Sequence, residues 1–320
     1  SKKALNLNYK DIMKYLSKFL KYDSDANLSK IIESHGLSSD AFLILSKIGE
    51  GVSGETYLAY SERFEDYLAV KIFRKNKTKE ASILAKIKEP NLLKNLVRIY
   101  YSGRIGRNNK ETVVMEYIDG CTLEELINKK SLIEDKEVLL LSSQIFNGIK
   151  SLRSIGITHR DLNLRNIKLN SERIIKFLDF GIATDEDDPL AKDARRYGSP
   201  EGESADDYFS LGLITYQLAT GEHILLDRKL EIGSNTFAEN IKELKLNLLN
   251  DNGRLKEEYL RKIPGYLKGL VTICLEKNEN KKELLEQYYL RLDSRKEKLE
   301  QLLGTGIDNE KYKQILKLLI

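Results

Sequence analysis

The chain has 320 residues, of which 41% are hydrophobic, enough for two packed lobes and too many for a disordered protein. The formal net charge is only +4 and is spread along the chain, so we expect no nucleic-acid partner. The two cysteines, Cys121 and Cys274, lack metal-ligand spacing, and without a signal peptide or an apolar run of about 20 residues we expect a cytoplasmic protein with no membrane segment, secretion as an effector being the alternative.

Residues 1–44 are predicted to form a helical N-terminal extension. Its apolar side chains recur at helical spacing and form one stripe: Tyr9, Ile12, Met13, Leu16, Phe19 and Leu20. Such a stripe has to be covered, and packing against the adjacent lobe is the simplest cover. A surface for a regulatory partner is the alternative.

A glycine-rich stretch follows, with Gly49, Gly51 and Gly54 between two β-prone segments. This spacing alone also serves dinucleotide-binding folds and plain turns. A dinucleotide site would continue as a helix after the third glycine, whereas residues 55–60 alternate like a strand. We therefore predict a β-hairpin with glycines at its tip, where backbone amides can approach phosphates.

A third strand is predicted over residues 67–73, an apolar run that contains Lys71. The segment after it is predicted to be a helix with Glu80 on its buried face, although a solvated surface glutamate is the alternative. That face is defined by three apolar residues: Ile83, Leu84 and Ile87. Residues 96–103 and 112–117 are predicted to complete a small antiparallel sheet.

The pattern becomes helical after Gly120, which predicts a domain boundary near residue 118. We expect a first lobe over 45–118, a second lobe over 119–285 and a helical C-terminal extension over 286–320. Helices are predicted at about 122–130, 135–155, from 207, 236–250, 255–275 and 281–303.

The stretch 157–167 and its sequel 177–181 contain the side chains with the most chemistry: Asp161, Asn166 and Asp179. Oxygen ligands of this kind suit a hard cation, and Mg²⁺ takes one or two carboxylates together with phosphate oxygens. Asn166 and Asp179 could hold Mg²⁺, or Mn²⁺, against a nucleoside triphosphate. Asp161 would then orient an attacking hydroxyl group.

Several motifs occur in a fixed order: the glycine hairpin, the strand lysine, the helix glutamate, His159-Arg160-Asp161 with Asn166, Asp179-Phe180-Gly181, and Asp207-x-x-Ser210-x-Gly212. Over residues 45–285 this order resembles the catalytic domain of eukaryotic-like serine/threonine protein kinases. The resemblance implies a bilobal α+β fold, with a small antiparallel β-sheet lobe carrying one main helix and a mostly helical second lobe. It also implies ATP- and Mg-dependent transfer of the γ-phosphate to a protein hydroxyl, with a preference for serine or threonine and with autophosphorylation as an option.

The resemblance assigns roles residue by residue. Lys71, held by Glu80, positions the phosphates, and Asp161 accepts the proton of the hydroxyl group. Arg165 lies in a register from which it could reach the transferred phosphate. The nucleotide contacts carried over are Ile48, Gly49, Gly51, Gly54, Thr56, Ala69, Lys71, Met115, Glu116 and Ile118. Residues 116–118 would offer backbone groups to adenine, and Met115 would guard the back of that pocket.

Three departures from the family pattern concern the substrate side. Asn163 stands where serine/threonine kinases have a lysine, and the segment Gly198–Glu201 matches either of two family segments but is present once. Lys281 or Lys282 stands where an arginine is usual. By resemblance, Arg160 would receive a phosphate or carboxylate from the loop after Gly181, with Thr184 and Ser199 as candidate phosphorylation sites.

Three other functions remain open. A pseudokinase would bind nucleotide without transfer, and a scaffold would recruit partners through its helical extensions. A small-molecule kinase of related fold is the third, although such enzymes typically have glycine at the position of Arg160 and lack the Asp207-x-x-Ser210-x-Gly212 helix.

Overall fold

The computed structural model describes residues 43–51, 54–61, 65–75, 79–87, 94–105, 110–129, 133–181, 183–185, 207–222, 248–250, 252–276 and 280–303. The predicted N-terminal extension up to residue 42, the segment Gly198–Glu201, residues 236–247 of a predicted helix and the chain from residue 304 lie outside the described residues. The described residues divide into two compact units. The first unit comprises the residues up to 76 together with 103–114, and the second comprises residues 77–102 and those from 115 onward.

The first unit is built on a β-sheet with the strand order β1-β2-β3-β5-β4. The strands are β1 (Leu43–Glu50), β2 (Gly54–Ser61), β3 (Asp66–Phe73), β4 (Ile99–Ile105) and β5 (Lys110–Glu116), and of β4 and β5 only residues 103–105 and 110–114 belong to this unit. Aromatic and β-branched side chains suit such strands, and Tyr57, Val70 and Val113 are buried in the core. The predicted hairpin and the strands after it are confirmed.

Strands β1 and β2 are antiparallel and meet at the glycine hairpin. Gly49 pairs with Thr56 and Glu50 with Glu55, so the tip lies between residues 50 and 55. Strands β2 and β3 are also antiparallel, and Lys71 lies directly opposite Thr56. The sheet register therefore brings Lys71 next to the base of the hairpin.

The second unit contains two small sheets within the described residues. Strands β6 (Gly120–Thr122), β8 (Ile167–Asn170) and β9 (Ile175–Phe177) form one, and β7 (Ile157–Thr158) pairs with β10 (Thr184–Asp185) in the other. Both are antiparallel. The loops between β7 and β8 and between β9 and β10 contain Asp161 and Asp179, so short strands fix both ends of each loop.

The helices of the second unit are α1 (Lys79–Lys86), α2 (Leu123–Lys129), α3 (Asp135–Ser154), α4 (Asp207–Thr220), α5 (Glu257–Leu260), α6 (Gly265–Leu275) and α7 (Lys281–Leu303). Helix α4 is apolar on nearly every side because it is buried between α3 and α6, both of which it contacts. A buried hydroxyl pair, Ser142 and Thr215, joins α3 to α4 with 2.9 Å between the two oxygens.

One predicted helix is wrong: the segment 255–275 forms two helices, α5 and α6. The break falls at Pro264, which has φ −57° and ψ 145° and precedes the first turn of α6. Proline lacks an amide hydrogen and disfavours helical backbone in the residue before it, so a single helix cannot run through this point.

Helix α7 packs on the second unit through its first turns. Leu285 is fully buried, and the Tyr289 ring stacks on Phe146 of α3 with 5.1 Å between ring centroids. Lys281 is itself buried and donates from Nζ to the carbonyl oxygen of Cys274 at 2.9 Å, which satisfies the end of α6. None of the helices that the structure describes combines the length and the apolar character needed to cross a membrane.

Candidate active site

Charged side chains fix the glycine hairpin of the first unit. Lys47 Nζ lies 2.8 Å from Glu55 Oε1 on the neighbouring strand, and the amide of Gly51 donates to Gly54 O at 2.9 Å. Arg74, just after β3, donates to the carbonyl oxygen of Gly51 at 2.5 Å. The tip of the hairpin is therefore attached to the end of the third strand.

Of the three glycines, Gly54 has the clearest steric requirement. A Cβ atom on Gly54 would lie 2.3 Å from the backbone oxygen of Ile72, a distance that real Cβ atoms do not reach. A Cβ on Gly49 would meet its nearest neighbour at 3.8 Å, and one on Gly51 would meet nothing within 4 Å. Gly54 thus allows β2 and β3 to approach beside Lys71.

The remaining predicted nucleotide contacts of the first unit lie on the same strands. Ala69 is 8% exposed and Ile48 is 44% exposed, so one belongs to the core and the other presents an apolar side chain to solvent. Lys71 is half-buried, and its Nζ lies 5.4 Å from the ring centroid of Phe73. This unit brings together Ile48, Gly49, Gly51, Gly54, Thr56, Ala69 and Lys71.

In the second unit, the loop between β7 and β8 covers residues 159–166 and is called the catalytic loop below. It is attached to a buried aspartate at the start of α4. Asp207 accepts the backbone N–H of His159 at Oδ2 and that of Arg160 at Oδ1, both at 2.9 Å. Burial raises the pKa of the Asp207 carboxyl, while the charges of His159 and Arg153 and the two N–H bonds act in the opposite direction. Asp207 therefore supports the loop through two of its backbone N–H groups.

His159 packs inside the second unit. Its ring lies 4.7 Å from that of Phe180, and its Nε2 lies 3.0 Å from the carbonyl oxygen of Leu178. The amide of Asp161 donates to Nδ1 at 3.4 Å. His159 therefore connects the catalytic loop to the segment that carries Asp179.

Side-chain amides hold Asp161 in place. Asn166 Nδ2 donates to the Asp161 carboxylate at 3.1 Å and to the Asp161 carbonyl at 2.8 Å. Asn163 Nδ2 donates to the same carbonyl at 2.9 Å, and its Oδ1 accepts the amides of Arg165 and Asn166 at 2.9 and 3.3 Å. Because Nδ2 of Asn166 is committed to Asp161, its Oδ1 is the atom able to face a cation.

Asp179 lies in a turn with left-handed backbone, φ +57°, which is uncommon for a residue other than glycine. Its Oδ1 accepts the amide of Gly181 at 3.2 Å. A Cβ on Gly181 would lie 3.1 Å from Asp179 Oδ1 and 3.7 Å from Glu80 Oε2. Two carboxylates therefore flank Gly181, and Glu80 is only 3% exposed, so the alternative of a solvated surface glutamate is excluded.

The connector, defined as Glu116, Tyr117 and Ile118, follows Met115 at the end of β5. Ile118 is buried, and the other connector residues are half-buried. The amide of Glu116 donates to Arg98 O at 2.9 Å, and its Oε1 accepts the amide of Arg98 at 2.7 Å. This segment is thus part of the second unit's hydrogen-bonded framework.

Arg165, the fourth predicted catalytic residue, contacts the side chain of Glu124 at the start of α2. The Arg165 Nε lies 2.8 Å from Glu124 Oε1 and 3.0 Å from Oε2, and the arginine side chain is 69% exposed. Its role toward phosphate stays a prediction. Arg160 is 4% exposed, and most of the loop predicted to meet it, including Ser199, lies outside the described residues.

Sequence reasoning missed three residues of this region. Asn163 was interpreted only as a missing lysine, although an asparagine in a loop often accepts backbone amides a few residues further along the chain. Lys168 and Lys176, which contact the connector, carried no signal because their partners are 50 and 60 residues away.

A sheet with a glycine hairpin in one unit and a catalytic loop built on a buried aspartate in the other define the class of the bilobal kinases. Comparison with known proteins supports the same class and gives the family. The protein kinase domain family matches residues 42–289, and the chain belongs to this family. Membership implies the use of ATP with a divalent metal ion.

Three relatives illustrate the similarity. A probable serine/threonine-protein kinase of Clostridium acetobutylicum is 28% identical over 78% of this chain, and the probable serine/threonine-protein kinase PknB of Lactococcus lactis is 28% identical over 60%. A serine/threonine-protein kinase of Candida albicans is 27% identical over 85%. The matched regions span 39%, 33% and 29% of these relatives, so the chain corresponds to less than half of each.

Proposed function

We propose that this chain is an active protein kinase that transfers the γ-phosphate of ATP to serine or threonine hydroxyl groups of proteins. The observation that carries the proposal is the hydrogen-bonded arrangement of Asp161, Asn163 and Asn166 on the buried Asp207. An arrangement this constrained suits catalysis by positioning, which is what phosphoryl transfer asks of a protein.

Asp161 is proposed to accept the hydrogen bond of the attacking hydroxyl group and then its proton. The Asn166 amide contacts Oδ2 of the carboxylate and so fixes its orientation. A carboxylate held in this way presents its lone pairs in one direction, which favours a single approach of the hydroxyl group.

Asn166 Oδ1 and the Asp179 carboxylate are proposed to hold Mg²⁺. In the described residues no group of three or more histidine, cysteine, aspartate or glutamate side chains forms a metal cage. A pair of oxygen donors fits Mg²⁺, which keeps several waters and takes phosphate oxygens as further ligands. When bound, the ion would supply positive charge to the phosphate oxygens.

Lys71 and Glu80 are proposed to act together on the α and β phosphates. The Glu80 carboxylate is buried, and burial disfavours its charge unless a cation or several donors compensate it. Lys71 is our candidate cation. The amides of the glycine hairpin are proposed to cover the phosphates, and the connector backbone with Met115 to bind adenine.

Arg165 is proposed to contribute charge toward the transferred phosphate, since Asn163 is neutral. The length and 69% exposure of the Arg165 side chain would let it leave Glu124 for a phosphate, because exposed ion pairs are weak.

The proposal also covers the residues that accept phosphate, the partners of the protein and its cellular compartment. The preference for serine and threonine rests on the names of the relatives and on the overall pattern. Protein substrates are the proposed partners, and the predicted extensions the proposed regulatory contacts. We propose a reducing compartment such as the cytoplasm, because Cys121 and Cys274 form no disulfide.

Labelled ATP tests the proposal directly. The chain is incubated with γ-labelled ATP, Mg²⁺ and generic protein substrates, and phosphoserine and phosphothreonine are quantified by mass spectrometry. Removal of Mg²⁺ with a chelator is expected to abolish labelling. Asp161→Asn is expected to reduce it by at least about a hundredfold, the size of general-base contributions.

Two controls make the result interpretable. The Asp161→Asn protein should bind ATP as the parent does, which separates loss of transfer from loss of binding. A parent protein that binds ATP and transfers no phosphate would overturn the proposal in favour of a nucleotide-binding pseudokinase.

A further inference from the structure

Two lysines of the second unit lie side by side on strands β8 and β9 and face the connector. Lys168 and Lys176 are directly opposite each other in the antiparallel register. Their sequence neighbours point to the other face, where four apolar side chains are buried: Ile167, Leu169, Ile175 and Phe177. Two like charges at opposite positions destabilise a sheet, so this arrangement needs compensation from outside the strands.

Lys176 obtains that compensation from Glu116. Its Nζ lies 2.6 Å from Glu116 Oε1 and 3.2 Å from the carbonyl oxygen of Leu96. Only 13% of the lysine side chain and 22% of the glutamate side chain are exposed. The same Oε1 accepts the amide of Arg98. This pair is shielded from solvent and has several partners, unlike a surface ion pair of negligible energy.

Lys168 holds the other end of the connector. Its Nζ donates to the carbonyl oxygen of Ile118 at 3.0 Å and lies 5.6 Å from the ring centroid of Tyr117. The two lysines therefore take separate oxygens, one at each end of the connector, so the connector is attached to the sheet at two points.

The proposed metal ligands lie next to the strands that hold the connector. Asn166 precedes Lys168 by two residues, and Asp179 follows Lys176 by three. A shift of the connector relative to β8 and β9 would therefore change the spacing between the proposed adenine contacts and the proposed metal ligands. A fixed spacing is what a ligand of fixed length requires.

We propose that Lys168 and Lys176, the lysine pair, are positioning residues that fix the connector for the base of the nucleotide. This inference rests on the proposed function, in which the connector backbone binds adenine. Neither lysine is assigned a contact with the nucleotide. Each acts through the connector.

Removing the contact between either lysine and the connector should lower the affinity for nucleotide. If the connector adopts its binding conformation only about one tenth of the time, the apparent dissociation constant of the nucleotide rises about tenfold. Because nucleotide that is bound still reaches the same transition state, KM for ATP should rise about tenfold while kcat changes by less than about threefold.

The test compares Lys176→Met with the parent protein, using adenosine and Mg-ATP as separate probes in calorimetry. We expect both ligands to bind about tenfold more weakly, since the two share the base. Lys168→Met should weaken both ligands in the same direction. Lys176→Arg should restore affinity to within about threefold of the parent, because a guanidinium can reach both Glu116 and a carbonyl oxygen.

Lys150→Met is the matched control. Lys150 pairs with Glu286 at 2.9 Å, joins α3 to α7 and makes no described contact with the connector. We expect it to leave both affinities unchanged. If Lys176→Met fails to fold, Glu116→Gln/Lys176→Met replaces it, since that variant leaves no partly buried charge unpaired.

The outcomes separate this inference from the proposed function. A parent protein that binds neither adenosine nor Mg-ATP overturns the proposed function. A parent that binds both, with a folded Lys176→Met or double variant that binds them equally well, overturns the inference alone. A variant with a lower unfolding temperature but unchanged affinity also overturns it, because the lysine pair would then serve only stability.

Discussion

At the scale of single residues, Asn163 shows how one substitution changes what a loop can do. Its Oδ1 accepts two backbone amides and its Nδ2 donates to the carbonyl oxygen of Asp161. A lysine has donors and no acceptor, so it could not hold the amides of Arg165 and Asn166. In this chain the loop is therefore hydrogen-bonded through Asn163, and it lacks the cation that serine/threonine kinases usually carry there.

Asn163→Ala is expected to reduce phosphate transfer by about tenfold or more, because Asp161 loses a support and small misplacements are costly in catalysis. The free energy of unfolding should fall by about 1 to 3 kcal/mol, the cost of leaving backbone groups without partners. Transfer of label from ATP and chemical denaturation measure the two effects.

Asn170→Ala is the matched control for this prediction. Asn170 Oδ1 accepts the amides of Glu172 and Ile174 at 3.1 and 2.8 Å in the turn between β8 and β9. Its loss should lower stability by a similar amount and leave transfer unchanged. Equal losses of activity in the two variants would show that Asn163 contributes only to folding.

The role of a residue could be predicted from the sequence where the functional residues lie close together along the chain. It could not be predicted where a residue contacts a partner far away in the sequence. Asp161, Asn166 and Asp179 lie within 19 residues, and their order indicates the chemistry. Lys168 and Lys176 reach Ile118 and Glu116 across 50 and 60 residues. The fold of the second unit brings those positions together, and a strand pattern does not specify which strands pair.

At the scale of elements, the glycine hairpin depends on a steric requirement for glycine at position 54 and on polar contacts at its tip. Gly54 is fixed by the approach of β3, whereas Gly51 is held through its own amide and carbonyl groups. The tip is attached to Arg74 and Glu50, which are exposed, so salt should weaken these contacts.

Gly54→Ala is expected to destabilise the first unit by about 1 to 3 kcal/mol, since its Cβ would meet backbone that cannot move independently. Gly51→Ala should change stability by less than about 0.5 kcal/mol, because its Cβ would meet no atom within 4 Å. Thermal unfolding of both variants measures the difference. If Gly51→Ala proved the more damaging, the described register of β2 and β3 would be wrong.

Element type was predicted well and element boundaries less well, for a physical reason. The helix from 281 to 303 was predicted from its periodicity and the strand with Lys71 from its apolar run, and the structure confirms both. The segment 255–275 is also rich in apolar residues, but Pro264 divides it. Periodicity indicates which face of a helix is buried. It does not indicate where the helix ends, which here depends on one proline without an amide hydrogen.

At the scale of the whole molecule, the order of the motifs is enough to identify the family. The division into units depends instead on which residues contact one another in the folded chain. The sequence predicts a boundary near residue 118, at the change from strand to helix patterns. The described contacts group residues 77–102, including α1, with the second unit. Hydrophobic periodicity does not predict this grouping, because the grouping depends on which buried faces pack against each other. The division into domains by sequence stays a prediction.

Metal-dependent stabilisation by nucleotide provides the last prediction. A ligand that binds only the native state at 100 times its dissociation constant adds about 2.7 kcal/mol, or roughly 5 to 10 °C in a domain of this size. We expect Mg²⁺ to increase the rise in unfolding temperature that ATP produces, and to leave the rise with adenosine unchanged.

Asp179→Asn should remove the metal-dependent part of that rise and keep the part due to adenosine. Asparagine has a similar shape and tolerates the left-handed backbone of this position, φ +57°, so the turn should survive while the negative charge is lost. Without the charge, Mg²⁺ loses its only proposed carboxylate ligand. Thermal unfolding of parent and variant, each with adenosine, ATP and Mg-ATP, measures the three contributions. An Asp179→Asn protein with the full metal-dependent rise would place the cation elsewhere and remove Asp179 from the proposed mechanism.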